Sequence, residues 1–466
     1  MFRKTSIIST LGPATFSYEA IAELIDAGVN VFRMNMSHAQ HDKCRELVKF
    51  IREISENRNK HVGILFDLQG PSIRTGDLDE PFILKVGDKF EIRRQSAPAS
   101  IPFSTTVNYE GMMDDVSAGA TLVVDNGTML MRIEEKNDDN LICEVLTAGE
   151  VGNRRHINLP GTRLNLPALT EKDHYDLKLA VECKADYIAG SFVRDAAHVD
   201  ELRAAMEKLG GNSQIISKVE DQEAIKNIDD IIVASDIIMI ARGDLGIEVH
   251  VEELPIIQRH ITRRCHELGR RVIVATHMLE SMIINPTPTR AEVTDVSTAV
   301  YEEADAIMLS GETATGAYPV RCVETLDRIA LRMEREGAIG NGKLAVLSTD
   351  KQKVILAAVK LVDSIPDAEL IVFTKFGRMA TQAALLRPEA CIHSFSPTAD
   401  TCRKLSLARG IEPHVLPFYD EPLDTINHAA EYLKENKIVK EGTPLVVLSD
   451  TLRKNKMVDS ILVIHA

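Results

Sequence analysis

A chain of 466 residues, 44% hydrophobic and 26% charged, is too long for one ordinary core and has the make-up of a soluble globular protein, so two or three domains are expected. Its 69 acidic and 54 basic residues leave a formal charge of −15, which argues against a nucleic-acid or anionic-membrane partner and requires any site for an anionic substrate to be locally positive. Seven scattered cysteines without a CxxC pair read as reduced thiols of a cytoplasmic protein. The apolar runs are too short to span a bilayer, and the opening MFRKTSIIST lacks the apolar region of a signal peptide.

From Thr5 the chain repeats strand, turn and helix. Apolar runs predict strands at 5–11, 29–36, 61–68, 185–193, 214–220, 236–241, 271–278 and 305–312. Eight such βα units predict a (β/α)8 TIM barrel more readily than an open sheet. Thr170 with Asp173, and Thr289 with Glu292, predict capped helix starts. Between Gly70 and Leu166 the helical period vanishes and short β-like runs appear between Gly, Asp and Asn turns. They predict a small β domain inserted after the third strand, where a lid over the active site belongs. After the glycine-rich 337–342, strands expected at 370–373, 391–395, 414–417, 444–448 and 461–464 alternate with helices and predict a third, α/β domain. The expected boundaries are 1–69 with 164–340 for the barrel, 70–163 for the lid and 341–466 for the C-terminal domain.

The stretch from Gln214 to Glu248 organises the chemistry. It reads as two strands joined by one helix-length segment, the first closed by Lys218 and Glu220 and the second by Arg242 and Asp244. Residues two apart on a strand share a face, so Lys218 and Glu220 point the same way. At the carboxyl ends of neighbouring parallel strands, a lysine and two carboxylates converge where such enzymes keep their chemistry. Two carboxylates suit a hard, water-keeping ion such as Mg²⁺, completed by substrate oxygens. The lysine supplies the cation that a transferring phosphoryl group needs. Taken alone, an ion pair closing a barrel rim explains these charges about as well.

The other strand ends add to the same mouth. Arg33, Asn35 and Ser37 alternate along the second strand: the guanidinium suits a phosphate, while the Asn and Ser oxygens with Asp67 suit a monovalent cation. His38 is a general acid only if it has a partner, and otherwise a satisfied polar residue. Arg74 lies in the exit toward the lid, where a hinge salt bridge is a competing reading. Thr276, Ser310 and Glu312 end the last two strands with hydroxyls and a carboxylate. Polar residues closing at least five of eight strands are hard to explain as structure alone.

The segments STLGPAT, NVFRMNMSH, GPSIRTG, INLPG, LPALTEKD, AGSFVR, ISKVE, MIARGDLGIE, VATHMLESM, NPTPTRAE and MLSGETATGAYP, in that order from Ser9 to Pro319, closely resemble the pyruvate kinase family. The ordered series is strong where GDLG or SGETA alone would be weak. The resemblance implies phosphoryl transfer from phosphoenolpyruvate to ADP, giving pyruvate and ATP as the final step of glycolysis, by a cytoplasmic homotetramer. By position it implies that Glu220 and Asp244 hold Mg²⁺ (or Mn²⁺) and that Lys218 stabilises the transferring phosphoryl group and the developing enolate. Arg33 is implied to bind phosphate, and the backbone of Gly243 and Asp244, with Thr276 and Ser191, to hold the substrate. Ser310 and Glu312 join Lys218, Arg33 and Thr276 in the implied catalytic set. Asn35, Ser37, Asp67 and the Leu68 carbonyl match the K⁺ site, while Arg74, Arg155, Asn35 and His38 fall toward the nucleotide. At Arg155 the family usually has lysine, so charge is kept and geometry changes.

Several positions depart from the family pattern. Asp67-Leu68-Gln69-Gly70-Pro71-Ser72 stands where Asp-Thr-Lys-Gly-Pro-Glu is common, and resembles members that work without K⁺; K⁺ is therefore allowed but not expected to be required. His277 replaces a usual glutamine. In the C-terminal domain, 374–379 (TKFGRM) and 449–459 (SDTLRKNKMVD) stand where regulated members bind a sugar phosphate. Lys375 and Arg378 suit one phosphate, and a second seat would need Arg453, Lys454 and Lys456, so fructose 1,6-bisphosphate is not expected to activate. Two alternatives remain: a catalytically silent relative kept for ligand binding or regulation, and a different phosphoenolpyruvate-using barrel enzyme. The complete set of charged positions weighs against the first, and the lid with Arg74 against the second.

Overall fold

Eight parallel strands close into a barrel: Ser6–Thr10, Val31–Asn35, Gly63–Asp67, Tyr187–Gly190, Gln214–Val219, Ile237–Ala241, Arg271–Ala275 and Ala306–Leu309. Each pairs with its sequence neighbours and the eighth closes on the first, Ser6 opposite Ala306. The structure, a computed structural model, describes residues 2–125, 127–453 and 456–466, without the side chains of 450–453 and 456–458. Arg453, Lys454 and Lys456 as a phosphate seat thus lie outside the described residues and side chains. Strands buried on both faces read as unbroken apolar runs, which is why all eight were visible in the sequence. Inside the barrel, Ile8, Val31, Leu65, Ile216, Met239, Ile273 and Met308 fill the core.

Every barrel strand except the sixth ends short of its expected length at the carboxyl end, the fourth, seventh and eighth by more than one residue. The run at 305–312 is a strand only to Leu309 and then turns into the short helix Gly311–Ala314. The run at 271–278 stops at Ala275, because Thr276 and His277 take left-handed backbone angles (φ 69° and 56°). The segment expected as one helix between the fifth and sixth strands is two, Gln222–Lys226 and Ile228–Ala234, separated at Asn227. Both expected capping boxes are present, at Thr170/Asp173 and Thr289/Glu292, each contributing about 1 kcal/mol to its helix.

The excursion after the third strand is a β domain: a six-stranded sheet beside a two-stranded one. Its strand Met129–Lys136 alternates buried and exposed residues, the period-2 pattern of a half-buried strand. The C-terminal domain is a five-stranded sheet, four strands parallel and the last antiparallel. Helices Asp350–Ser364 and Arg378–Leu385 cover one face and Pro422–Glu435 the other.

This domain seals the amino end of the barrel. Leu407 is wholly buried among the barrel-core residues, and the Tyr187 hydroxyl donates to the Arg403 carbonyl at 3.0 Å. Arg387 grips Asp305 with two hydrogen bonds of 2.7 and 2.9 Å, and Arg403 reaches Asp186 at 2.9 Å. With that end closed, the carboxyl ends of the strands are where a ligand enters.

Candidate active site

At those carboxyl ends a polar cleft of about 520 Å³ is lined by Arg33, Asn35, Ser37, His38, Leu68, Ser191, Lys218, Glu220 and Asp244 from the barrel side. The lid and its exit contribute Arg74, Asp125, Asn153, Arg154, Arg155 and His156. Register sets the floor, since Asn35 lies opposite Asp67 and Asp67 opposite Ala189.

Lys218 is the centre. Its ammonium lies 2.9 Å from Glu220 and 3.3 Å from Asp67, and donates to the Ser191 hydroxyl at 2.7 Å. The Ser191 hydroxyl in turn donates a hydrogen bond to the Leu68 carbonyl at 2.7 Å. Burial works against the lysine charge, yet the Asp67 and Glu220 carboxylates outweigh it and hold the pKa above the ordinary lysine value. Lys218 is therefore a fixed cation. Asp67 is fully enclosed, but Lys218 and Arg33 hold it below the usual carboxylate range. Glu220 behaves oppositely: burial pushes it up to about 7, Lys218 only partly offsets this, and the nearby Asp244 charge adds to it. Lys218 and Arg33 do not neutralise the three carboxylates Asp67, Glu220 and Asp244, so this end of the cleft is short of positive charge. The second Glu220 oxygen accepts from the Phe192 backbone at 2.6 Å, and Phe192 itself takes a left-handed φ of 53°.

Asp244 sits in the first turn of the short helix Arg242–Glu248 and lines the cleft. Gly243 lies behind it and donates its N–H to the Thr276 hydroxyl at 2.8 Å. That contact needs Thr276 in its strained conformation, a feature that clusters at functional sites. Arg242, expected beside Asp244 at the strand end, is buried and does not join the cleft. It pairs with Asp295 at 2.6 Å and donates to the Thr276 carbonyl at 2.6 Å, pinning the ends of the sixth and seventh strands together.

Other expected residues are placed differently. Arg33 lines the cleft, but its guanidinium is engaged with Asp67 at 2.6 and 2.7 Å and with the Thr10 hydroxyl at 3.1 Å. Thr276 and Ser310 do not line the cleft; the Ser310 hydroxyl is buried without a partner. Glu312 does not open toward the mouth as expected. It is buried, and its oxygens accept from the backbone of Ser310 (2.7 Å) and Leu279 (3.1 Å), because the chain has already turned into a helix there. Of the expected monovalent-cation donors, Asn35 accepts from the Ser37 N–H, while Leu68 and Asp67 have the partners given above. Arg74 bonds to the Arg154 carbonyl and Arg155 pairs with Asp125 at 3.4 Å, so both stand on the lid side.

The sequence reading missed Thr10, whose hydroxyl steadies Arg33 and donates to the Leu309 carbonyl. The signal was a polar residue ending the first strand. The Phe192 backbone N–H and the buttress Asp295 had no such signal, since one is main chain and the other lies on a distant helix.

Fold and cleft define a lidded (β/α)8 enzyme with its chemistry at the carboxyl ends of the strands. A family model described as pyruvate kinase, barrel domain, matches residues 2–323, and one described as pyruvate kinase, alpha/beta domain, matches 352–465. Plastidial pyruvate kinase 2 of Arabidopsis thaliana is 38% identical over 452 residues, 96% of this chain and 78% of that protein. The pyruvate kinase of Geobacillus stearothermophilus is 36% identical over 456 residues, 96% of this chain and 77% of that one. A crystal structure of a pyruvate kinase from Cryptosporidium parvum aligns with a TM-score of 0.93 at 32% identity, covering 99% of this chain and 96% of the other. The chain belongs to the pyruvate kinase family.

Proposed function

We propose that the protein transfers the phosphoryl group of phosphoenolpyruvate to ADP, giving pyruvate and ATP. The observation that carries this reading is the buried, permanently charged Lys218 held between Asp67, Glu220 and Ser191 at the floor of a cleft rimmed by arginines. A loose phosphoryl transition state spreads charge over its oxygens, so catalysis rests on cations already in position. Lys218 sits where it meets both the transferring group and the oxygen left on the enolate. Arg33 turns from Asp67 toward the substrate phosphate, and Asp67 keeps Lys218 to hold. Asp244, with Gly243 behind it, forms the end wall for the substrate carboxylate, and the Thr276 hydroxyl holds the Gly243 N–H in place from outside the cleft. Arg74 and Arg155 reach from the lid toward the ADP phosphates.

Glu220 and Asp244 fit a divalent cation, because two carboxylates share a pocket with too little positive charge and offer only oxygen donors. Mg²⁺ or Mn²⁺ held there supplies the remaining charge on the phosphate oxygens. Seven free cysteines suit a reducing compartment, and we take the cytoplasm as the location and a homotetramer as the assembly. Pyruvate formation coupled to lactate dehydrogenase, with phosphoenolpyruvate, ADP and Mg²⁺, tests the reading. Mg²⁺-dependent turnover is expected; phosphoenolpyruvate binding without any turnover would instead support the silent-relative reading.

A further inference from the structure

The C-terminal sheet carries a second cluster of metal-binding groups, far from the cleft in sequence and on a different domain. Parallel register puts Ile371 opposite His393, His393 opposite Glu412 and Phe395 opposite His414. Residues at even spacing share a face, so Glu369, Cys391, His393, Glu412 and His414 all project from one side of three adjacent strands, the first four near the amino ends and His414 one step further along. Two histidines and three further ligand-type residues on one small patch are not required by the fold. The same face elsewhere is apolar, with Ile371, Phe373 and Phe395.

His393 and His414 are 2% and 5% exposed. His393 Nδ1 lies 3.2 Å from His414 Nε2 and 3.5 Å from a Glu412 carboxylate oxygen, and the donor atoms of this trio all lie within 4.8 Å of one another. A single ring nitrogen serves one hydrogen bond, either as donor or as acceptor, yet here two groups crowd it. A tetrahedral ion with ligands at about 2.0–2.1 Å sets its donors about 3.3–3.4 Å apart, between the 3.2 and 3.5 Å of the two edges at His393 Nδ1. Behind His393, Nε2 faces Glu369 at 3.8 Å, and that Glu369 oxygen is buried with no hydrogen-bond partner. A carboxylate behind the far nitrogen of a ligating histidine is the usual outer support of such a site. The partly exposed Glu412 (37%) and Glu369 (30%) leave a way in from solvent.

We propose that His393 Nδ1, His414 Nε2 and a Glu412 carboxylate oxygen bind a Zn²⁺-class ion, with water in the fourth position and Glu369 orienting His393. Two imidazoles and one carboxylate favour Zn²⁺, Co²⁺ or Ni²⁺ over Mg²⁺, which prefers oxygen alone. The ion would join two neighbouring strands on the sheet face that also carries the helix Pro422–Glu435, where His414 packs on Tyr432 at 5.4 Å.

The test is competition for Zn²⁺ between the chelator-stripped full chain and a chromogenic chelator, in millimolar Mg²⁺ to fill the cleft. One equivalent per chain is expected to bind, with Co²⁺ in its place giving the intense visible absorption of a tetrahedral ion. His414→Gln should abolish the tight equivalent, and Glu369→Gln should weaken it about tenfold. Glu412→Gln, at a half-exposed position that leaves the fold undisturbed, should also lose it, and Glu220→Gln should keep it. No tight equivalent in the natural chain, or one that survives both His414→Gln and Glu412→Gln, would overturn the proposal. An equivalent lost only in Glu220→Gln would overturn it too, assigning the ion to the cleft.

Discussion

Lys218 shows how much a few residues settle. Removing one partner of a buried ion pair costs about 3–5 kcal/mol because a charge is left uncompensated, and Lys218 has two carboxylate partners at 2.9 and 3.3 Å. The pairing of Lys218 with Glu220 was readable in the sequence from their period-2 spacing. The bonds that fix them were not, because Ser191 and the Phe192 N–H reach in from another strand end. Glu220 and Asp244 supply anionic oxygens, so Glu220→Gln or Asp244→Asn should raise the Mg²⁺ concentration needed for half-maximal rate by about tenfold or more. Superimposable Mg²⁺ titrations would remove both from the metal site. The same scale decides the K⁺ question. Leu68, Gln69 and Ser72 replace the usual Thr, Lys and Glu, and Asp67, Asn35 and the Leu68 carbonyl have partners within the protein. The rate in tetramethylammonium buffer should stay within a fewfold of that in K⁺; a tenfold fall restored by K⁺ would contradict this.

At the scale of elements, the barrel strands were legible because parallel strands buried on both faces are apolar throughout. Their polar ends were not legible as geometry. Thr276, His277, Ser310 and Glu312 look in the sequence like continuing strand, but the chain leaves the sheet at Ala275 and Leu309. Alternation then stops predicting direction, and Glu312 folds back onto the backbone. The loop before the helix Arg378–Leu385 follows the same logic. Thr374, the one hydroxyl offered there, is buried, and Phe376 is 76% exposed with the Lys375 ammonium 5.6 Å above its ring. An exposed aromatic and a withdrawn hydroxyl make a poor cradle for a doubly phosphorylated sugar. Fructose 1,6-bisphosphate should leave the half-saturating phosphoenolpyruvate concentration unchanged. A severalfold fall at micromolar concentrations would show this reading of the loop to be wrong.

Across the whole molecule, the contacts between the barrel and the C-terminal domain were invisible in the sequence, since they join residues tens to hundreds of positions apart. Leu407 in the barrel floor and Arg387 on Asp305 are examples. His266 belongs to this junction: wholly buried, its Nε2 accepts from Arg387 at 2.6 Å. Burial, then the Arg387 charge, lower its pKa from 6.5 to about 3. Between those values the unfolded chain binds a proton that the folded chain excludes. The His266 contribution is therefore intact above pH 6.5 and is lost as pH falls toward 3, by roughly 1–1.5 kcal/mol at about pH 5.5. His266→Gln keeps an acceptor for Arg387 without titrating, so the loss of urea stability between pH 7.5 and 5.5 should shrink by about 1 kcal/mol. An unchanged pH dependence would contradict the assignment.

The central claim, that Lys218 is the cation on which phosphoryl transfer depends, is tested most directly by single-turnover formation of pyruvate from phosphoenolpyruvate, ADP and Mg²⁺ by the natural chain and by Lys218→Met. Removing one preorganised charge aimed at the transition state costs about 10²–10³-fold or more. A drop of at least that size is predicted, with far-ultraviolet circular dichroism and phosphoenolpyruvate binding retained. A Lys218→Met rate within tenfold of the natural chain would contradict the account.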